Sequence, residues 1–432
     1  MTTERTQNTW LWKGLALLAA FLVLLTVGGT RTLAATNPGK VTGLKQTSAS
    51  SSSFKIEWTS IIGSNIYYET YVSYTSGELG TKPDSYDVSY SNDYVSGLNA
   101  GTSFYVTVRA YVKEYDSSEG GYVYTYGDYS DQIEVVTAPE NPTDAKQTKA
   151  STSSVTLTRT ASDGATGYKV KDKGYDGTTL KTTSSTSAKV KASTGSYETY
   201  YVFAYRKSSA GYVAYSSSYA YCSAYASPNK PTNVASASEG NLTWKPTSSN
   251  KVTVYWDRNS KDDYTPDGYQ IQIYDVTGKT KLKTYTISDK YTTYKSFNLS
   301  KVKNKGFQIR ARAYVKINGT KYYSSWTSKK VIVPQANITL TQTGKTSLKV
   351  SWKKVSNATN YIVYVCKNTS ATNPSWKKYK TVSKSTLSCK ITGLTSKKNV
   401  GVYVIPKIKV NGKSYKASAT WYLYTYMYTS GY

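Results

Sequence analysis

Histidine is absent from the 432-residue chain, and cysteine is confined to 3 positions. Without imidazole, the commonest general base, the Ser-His-Asp and Cys-His arrangements and most zinc sites drop out. Three cysteines cannot staple so long a chain, and the odd number leaves at least one thiol unpaired. Cys222, Cys366 and Cys389 have no imidazole partner and are expected as small apolar residues. Cys222 and Cys389 fall on the inward phase of their strands and Cys366 on the outward phase, so a Cys366 to Cys389 disulfide is not favoured. No phosphate loop, dinucleotide fingerprint or Arg-Gly-Asp tripeptide occurs. Acid is missing from the whole last quarter: residues 335–432 hold 16 Lys and no Asp, Glu or Arg. That segment cannot supply the carboxylate pair of a glycosidase. Asp84, Asp87, Asp93, Asp116 and Asp128 lie in polar stretches and read as solvated loop charge. Asp257, Asp262, Asp263 and Asp267 lack the spacing of a calcium loop. The expectation is a protein that is no enzyme and holds no cofactor or metal.

Long apolar runs are equally scarce. One, Leu15 to Leu25, follows Lys13 and precedes Thr32-Leu33-Ala34-Ala35, which is the layout of a secretory signal peptide cleaved after Ala34 or Ala35. The run is shorter than the roughly 20 residues that span a bilayer, and an uncleaved anchor is the alternative. Residues 1–35 are therefore taken as the signal, with no transmembrane segment or LPxTG-like sorting signal after it. The expected location is extracellular, secreted or associated with a cell surface.

What the chain has in abundance is aromatic: 45 Tyr and 9 Trp, a composition that favours strands. A pattern recurs with a period near 100 residues. An alternating strand ends in Trp in FKIEW (Phe54 to Trp58), VTVYW (Val252 to Trp256) and LKVSW (Leu348 to Trp352). The second copy reads VTLTR, with Arg159 at the Trp position, so its core is filled differently or its register is shifted. A second strand opens on Gly-Tyr or Asn-Tyr in GYKV (Gly167 to Val170), GYQIQI (Gly268 to Ile273) and NYIVYV (Asn360 to Val365). A third reads FYVTVRAYV, YYVFAYR, FQIRARAYV or VGVYVIPKI. Period-two alternation buries one face of each. Asn318-Gly319 and Asn411-Gly412 then predict tight hairpins with positive φ. Pro139, Pro142, Pro228, Pro231 and Pro334 punctuate the copies, giving segments 36–138, 139–228, 229–334 and 335–432.

The order proline, Trp strand, Gly-Tyr strand, Gly-Leu turn (Gly97-Leu98, Gly393-Leu394) and Tyr/Val/Ala strand resembles the fibronectin type III domain. Lys- and Tyr-rich versions are similar to those of secreted and surface proteins of Gram-positive bacteria. The resemblance implies an all-β fold of tandem immunoglobulin-like (fibronectin type III) β-sandwiches in a linear array, each with seven strands. Segments 36–138 and 139–228 diverge most: Ile66-Tyr67-Tyr68 replaces Gly-Tyr in the first.

Charge climbs along the chain. Segment 36–138 has 6 basic against 12 acidic residues, 139–228 has 11 against 6, and 229–334 has 19 against 7, within an overall +29. Such asymmetry points to an anionic partner at one end. The candidate polyanion contacts are Arg310, Arg312 and Lys407 on outward strand positions, as is Lys349, and Lys377, Lys378, Lys397 and Lys398 in predicted loops. The partner is expected to be an anionic polymer or cell-wall polysaccharide, with nucleic acid only a non-specific ligand. Tyrosines at alternate positions, Tyr122/Tyr124/Tyr126, Tyr219/Tyr221 and above all Tyr422, Tyr424, Tyr426 and Tyr428, are candidates for stacking on glycans. Packing between strands is the competing explanation for them. The functional expectation is a binding or adhesion protein held by its basic half, the alternative a carbohydrate-binding accessory protein.

Overall fold

The computed structural model describes residues 36–236, 251–298, 300–417 and 422–431; the expected signal segment 1–35 lies outside the described residues. Strands account for all of the regular structure there except one 3-10 turn, Ser300–Val302. No helix among the described residues is long and apolar enough to cross a membrane.

The strands form four β-sandwiches in tandem, each pairing a three-stranded with a five-stranded sheet. In the first, Lys45–Ala49, Ser53–Glu57 and Asn92–Ser96 make the small sheet in that order. The large sheet runs Ser85–Val88, Ile66–Ser73, Ser103–Asp116, Gly121–Tyr129, and Ile133–Val136 also pairs with Ser103–Asp116. The other three repeat this order without exception. In the fourth, the small sheet is Ile338–Gly344, Ser347–Trp352 and Ser388–Ile391. The large one is Trp376–Ser383, Ala358–Cys366, Asn399–Val410 and Lys413–Lys416, with Leu423–Tyr426 returning to Asn399–Val410.

The expected seven strands become eight segments because the last strand is broken in two. A serine sits at the break in three sandwiches. Ser130, Ser216 and Ser324 accept, through Oγ, the N–H groups of Val108, Ala204 and Ala313 at 3.0, 3.2 and 3.0 Å. The hydroxyl thus satisfies a backbone donor that the departing strand leaves behind.

The cores follow the alternation. Val254, Trp256, Ile271, Ile273, Ile309 and Ala311, from both sheets, form one buried cluster in the third sandwich, and Leu348, Trp352, Tyr361, Val363 and Val402 do the same in the fourth. Each Trp lies against a tyrosine in the first half of the next strand: Trp58 on Tyr68 at 5.1 Å, Trp256 on Tyr269 at 5.3 Å and Trp352 on Tyr361 at 5.4 Å between centroids. Tyr68 therefore fills the place left open by the missing Gly-Tyr.

At Arg159 the register is kept and the filling changes. Its N–H donates to the Thr186 carbonyl at 3.1 Å, as those of Trp58, Trp256 and Trp352 do to Ser91, Thr293 and Leu387. Arg159 is 6% exposed, and its guanidinium lies 3.8 Å over the Tyr168 ring and donates to the Ser185 carbonyl. A planar cation thus replaces the indole, at the cost of burying charge; that burial pulls its pKa down.

A glutamine clamps the first strand to the last, or to the residues just after it, in three sandwiches. Gln46 Nε2 donates to the Val136 carbonyl at 2.7 Å while its Oε1 accepts the Val136 N–H at 3.0 Å. Gln147 does the same with Tyr225 at 2.6 and 3.0 Å, and Gln342 with Tyr428 at 2.6 and 2.9 Å. Each sits at a register shift and also bonds the carbonyl two residues on. The bulge turns a side chain that would face outward toward the other sheet, where its amide imitates one rung of a ladder. The hairpins are as expected, with φ of 48° and 83° at Asn318-Gly319 and 46° and 81° at Asn411-Gly412.

Backbone proximity groups the chain into two compact units. One comprises the described residues of Met1–Glu140 with Ser162–Thr166 and Ala204–Ser217. Within it Gly101 and Gly164 meet so closely that a Cβ on either would strike the other's backbone. Arg206 Nη2 donates to Ser103 Oγ at 2.9 Å, and Glu134 accepts from Ser103 Oγ and the Ser209 N–H at 2.5 and 2.6 Å. The other unit comprises Asn141–Ala161, Gly167–Phe203 and the described residues of Ser218–Tyr432. Within it the Asn318 amide and Tyr322 hydroxyl donate to the carbonyls of Gln147 and Thr148, both at 3.0 Å. Val276, Val331 and Val333 of the third sandwich pack with Ile362, Ile405 and Ile408 of the fourth.

Candidate anion-binding faces

The large sheet of the third sandwich carries Arg310 and Arg312 on Phe307–Ile317, directly opposite Gln272 and Gln270 on Gly268–Asp275. Both arginines are on the outward phase, as expected, but neither projects freely. Trp326 holds both guanidinium carbons, at 4.5 and 4.4 Å from its centroid. Tyr274 lies 5.0 Å from Arg310 and Tyr323 lies 3.6 Å from Arg312. Gln272 Oε1 accepts from Arg310 Nε at 2.8 Å, and Gln270 Oε1 accepts from Arg312 Nε and Nη2 at 2.9 and 2.7 Å. Burial pulls the pKa of Arg312 down; the Tyr323 hydroxyl opposes this and the neighbouring Arg310 charge reinforces it.

The first sandwich builds the same ladder with the opposite charge balance. Arg109 lies 4.1 and 4.5 Å from the rings of Tyr126 and Tyr129. Its cross-strand neighbour is Glu69, which takes a bond from Nε at 2.6 Å. Burial works against the Arg109 charge, but contact with Glu69 more than offsets it and the pKa rises. Lys113 pairs with Asp87 at 2.8 Å. Tyr124 and Tyr126 stack in this ladder at 6.3 Å.

In the fourth sandwich, strand pairing sets lysines against each other. Lys349 stands opposite Lys390 on the small sheet, and Lys407 opposite Lys416 and Asn360 on the large one. Like charges in such positions repel, and no ion pair among the described residues reaches this sandwich. Lys377 and Lys378 correct the sequence reading: they belong to the strand Trp376–Ser383 rather than to a loop. Its middle, Lys377 to Thr381, is exposed on both faces, the arrangement expected of a lysine-protected edge, and so lacks the alternation that would reveal it. With Lys367 and Tyr379 they line a groove of 440 Å³ floored by Val365, Ile391 and Leu394. Lys397 and Lys398 do occupy a turn, joined through their backbones to Met427. The seven charged candidates therefore fall in separate places: the two arginines on the third sandwich, and the lysines of the fourth at a groove, a turn and a strand.

Of the four C-terminal tyrosines, Tyr422 rests on Trp376 at 4.7 Å, and Trp376 on Tyr403 at 4.8 Å. Gly401 lets these rings lie down: a Cβ there would meet Trp376 at 2.6 Å and Tyr422 at 3.2 Å. Tyr424 is 64% exposed, while Tyr426 and Tyr428 pair edge to face at 5.1 Å.

The cysteines are free. Cys222 and Cys389 are partly buried, and burial pushes the Cys222 thiol up to about 11. Cys366 is outward-facing yet 1% exposed, because Trp376 and Gly401, its partners on the flanking strands, belong to a covered part of the face.

The aspartates of the third sandwich serve the backbone. Asp263 and Asp267 accept the N–H groups of Tyr197 and Lys316, and no acidic or thiol cluster suited to a metal occurs among the described residues. Asp262, 3% exposed, accepts from Asn229 N and Nδ2 at 2.8 and 3.0 Å through Oδ1, while Oδ2 has no partner. Burial raises its pKa. A carboxyl with a raised folded pKa stabilises fully at low pH and loses that contribution as pH rises through the folded value. Asp262→Asn keeps the Oδ1 acceptor and removes the titration. Thermal melts should show stability shifting in favour of the variant as pH rises from about 4 to 8, and parallel curves would contradict this.

No family model matches the chain, and no curated protein matches it. Among solved structures it is similar to the FN1–FN3 domains of chicken CNTN1, with 14% identity over 67% of this chain and 99% of that one, at a TM-score of 0.23. The class of the fold, tandem immunoglobulin-like β-sandwiches of the fibronectin type III kind, rests on the repeated strand order.

Proposed function

We propose that the chain is a secreted, non-enzymatic binding or adhesion protein held to an anionic surface or polymer by its basic C-terminal half. The observation that carries this reading is the fourth sandwich: 16 lysines, no carboxylate, and lysines placed directly opposite one another. A purely solubilising surface mixes both signs, as the paired charges of the first sandwich do. Lysine is a hydrated point charge with little geometric demand and suits a flexible polymer of repeating charge. A second reading, glycan stacking, is favoured by the rings gathered over Gly401. Salt separates the two, because the Debye length shrinks from about 30 Å at 0.01 M to about 8 Å at 0.15 M. Retention of the full chain on an immobilised anionic polymer should collapse across that range. Salt-independent retention on a neutral glycan would replace the first reading with the second.

A further inference from the structure

The ladder of the third sandwich differs from that of the first at one chemical point. Opposite Arg109 stands a carboxylate, Glu69, whereas opposite Arg310 and Arg312 stand amides, Gln272 and Gln270. An amide oxygen fixes a guanidinium's orientation but does not neutralise it. These amides are themselves held: Gln272 Oε1 also accepts the Tyr274 hydroxyl at 2.8 Å, and Gln270 Nε2 donates to Thr286 Oγ1 at 3.1 Å. The result is two oriented guanidiniums against one indole, with no carboxylate in either cross-strand slot.

We propose that Arg310 and Arg312, held by Gln272, Gln270 and Trp326, form a site for one phosphate group of a phosphodiester-linked polymer, a site additional to the lysines of the fourth sandwich. Gln270 occupies the Nε/Nη2 edge of Arg312 and Gln272 takes only Nε of Arg310, which leaves the Nη1/Nη2 end of each guanidinium for a ligand. A planar carboxylate is satisfied by one such two-donor end and makes no use of the pair. A tetrahedral oxyanion needs only one N–H from each arginine. Both guanidinium carbons lie within 4.5 Å of the one indole centroid, so N–H···O bonds of about 2.9 Å from each can meet on one oxyanion at the edge of the ring. A phosphodiester rather than a lone phosphate is favoured because the fourth sandwich continues the positive charge with lysines, which meet phosphate as point charges. The proposal rests on the anionic-polymer reading, and its test separates the two.

The test installs in the third sandwich the carboxylates that the first tolerates at this position. Full-length Gln270→Glu/Gln272→Glu protein should keep or raise its melting temperature. Its affinity for a linear glycerol phosphate polymer should fall about tenfold near 0.05 M salt. Arg310→Lys/Arg312→Lys, which keeps the charge and loses the oriented planes, should also weaken binding severalfold. Binding by the Gln→Glu chain within twofold of the parent overturns the site, and a loss seen with heparin or polygalacturonate but not with the phosphate polymer overturns the phosphate assignment. A parallel Lys390→Glu/Lys416→Glu chain isolates the other reading. If it alone loses binding, the arginine site fails; if it keeps binding while the Gln→Glu chain does not, the lysine reading fails and this one stands.

Discussion

Trp256→Ala should cost the third sandwich about 3–5 kcal/mol. The indole is 1% exposed, packed on Tyr269 and surrounded by Ile271, Ile309 and Ala311 of the facing sheet. Such a cavity cannot collapse without moving both sheets. Its Nε1 is buried with no acceptor, as are those of Trp58 and Trp352, so the residue is retained for volume and shape despite an unsatisfied donor. Trp256→Phe, which removes that donor, should therefore cost distinctly less than Trp256→Ala. Urea melts of the full chain should show an early transition in the alanine variant and a smaller displacement in the phenylalanine one. Equal displacement would mean that the indole is not the core anchor.

The paired lysines predict two effects of opposite sign. Lys390→Glu and Lys416→Glu each convert a facing Lys–Lys pair, with Lys349 and Lys407, into an opposite-charge pair. Stability should rise by about 0.2–1 kcal/mol per pair. Affinity for an anionic polymer should fall about a hundredfold or more at low salt, given roughly 1 kcal/mol for each positive charge held near an anionic surface. A surface chosen for stability would already carry those glutamates; one chosen for binding does not. Stability and affinity moving together would refute that division.

Much of this organisation is written in side-chain alternation. FKIEW, VTVYW and LKVSW announce a buried indole because every second residue is apolar, and Asn-Gly announces its hairpin because few other residues tolerate positive φ. What escapes is any feature set by a second strand. Gln46 and Gln147 sit in Lys-Gln-Thr, where the alternation does not set them apart, and only the bulge turns them inward. Arg310 and Arg312 read as free cations because the Trp326 that both meet is supplied by the chain beyond the hairpin. Arg159 reads as a break in the pattern, although backbone bonds hold its register and Tyr168 receives its plane. Cys366 has the right phase and the wrong exposure, since what covers an outer face is supplied by neighbouring strands.

The glutamine clamp has a mechanical side. Gln46 lies in the strand by which the chain enters its sandwich and Val136 in the strand by which it leaves, the same holds for Gln147 with Tyr225, and Gln342 reaches Tyr428, two residues past the last strand. A pull on the two ends of such a sandwich is carried from entry to exit through two amide hydrogen bonds, ahead of the hydrophobic interior. For a protein strung between an anchored end and a moving load, tension would be borne by replaceable polar bonds at the seam, which can break and re-form while the core stays shut.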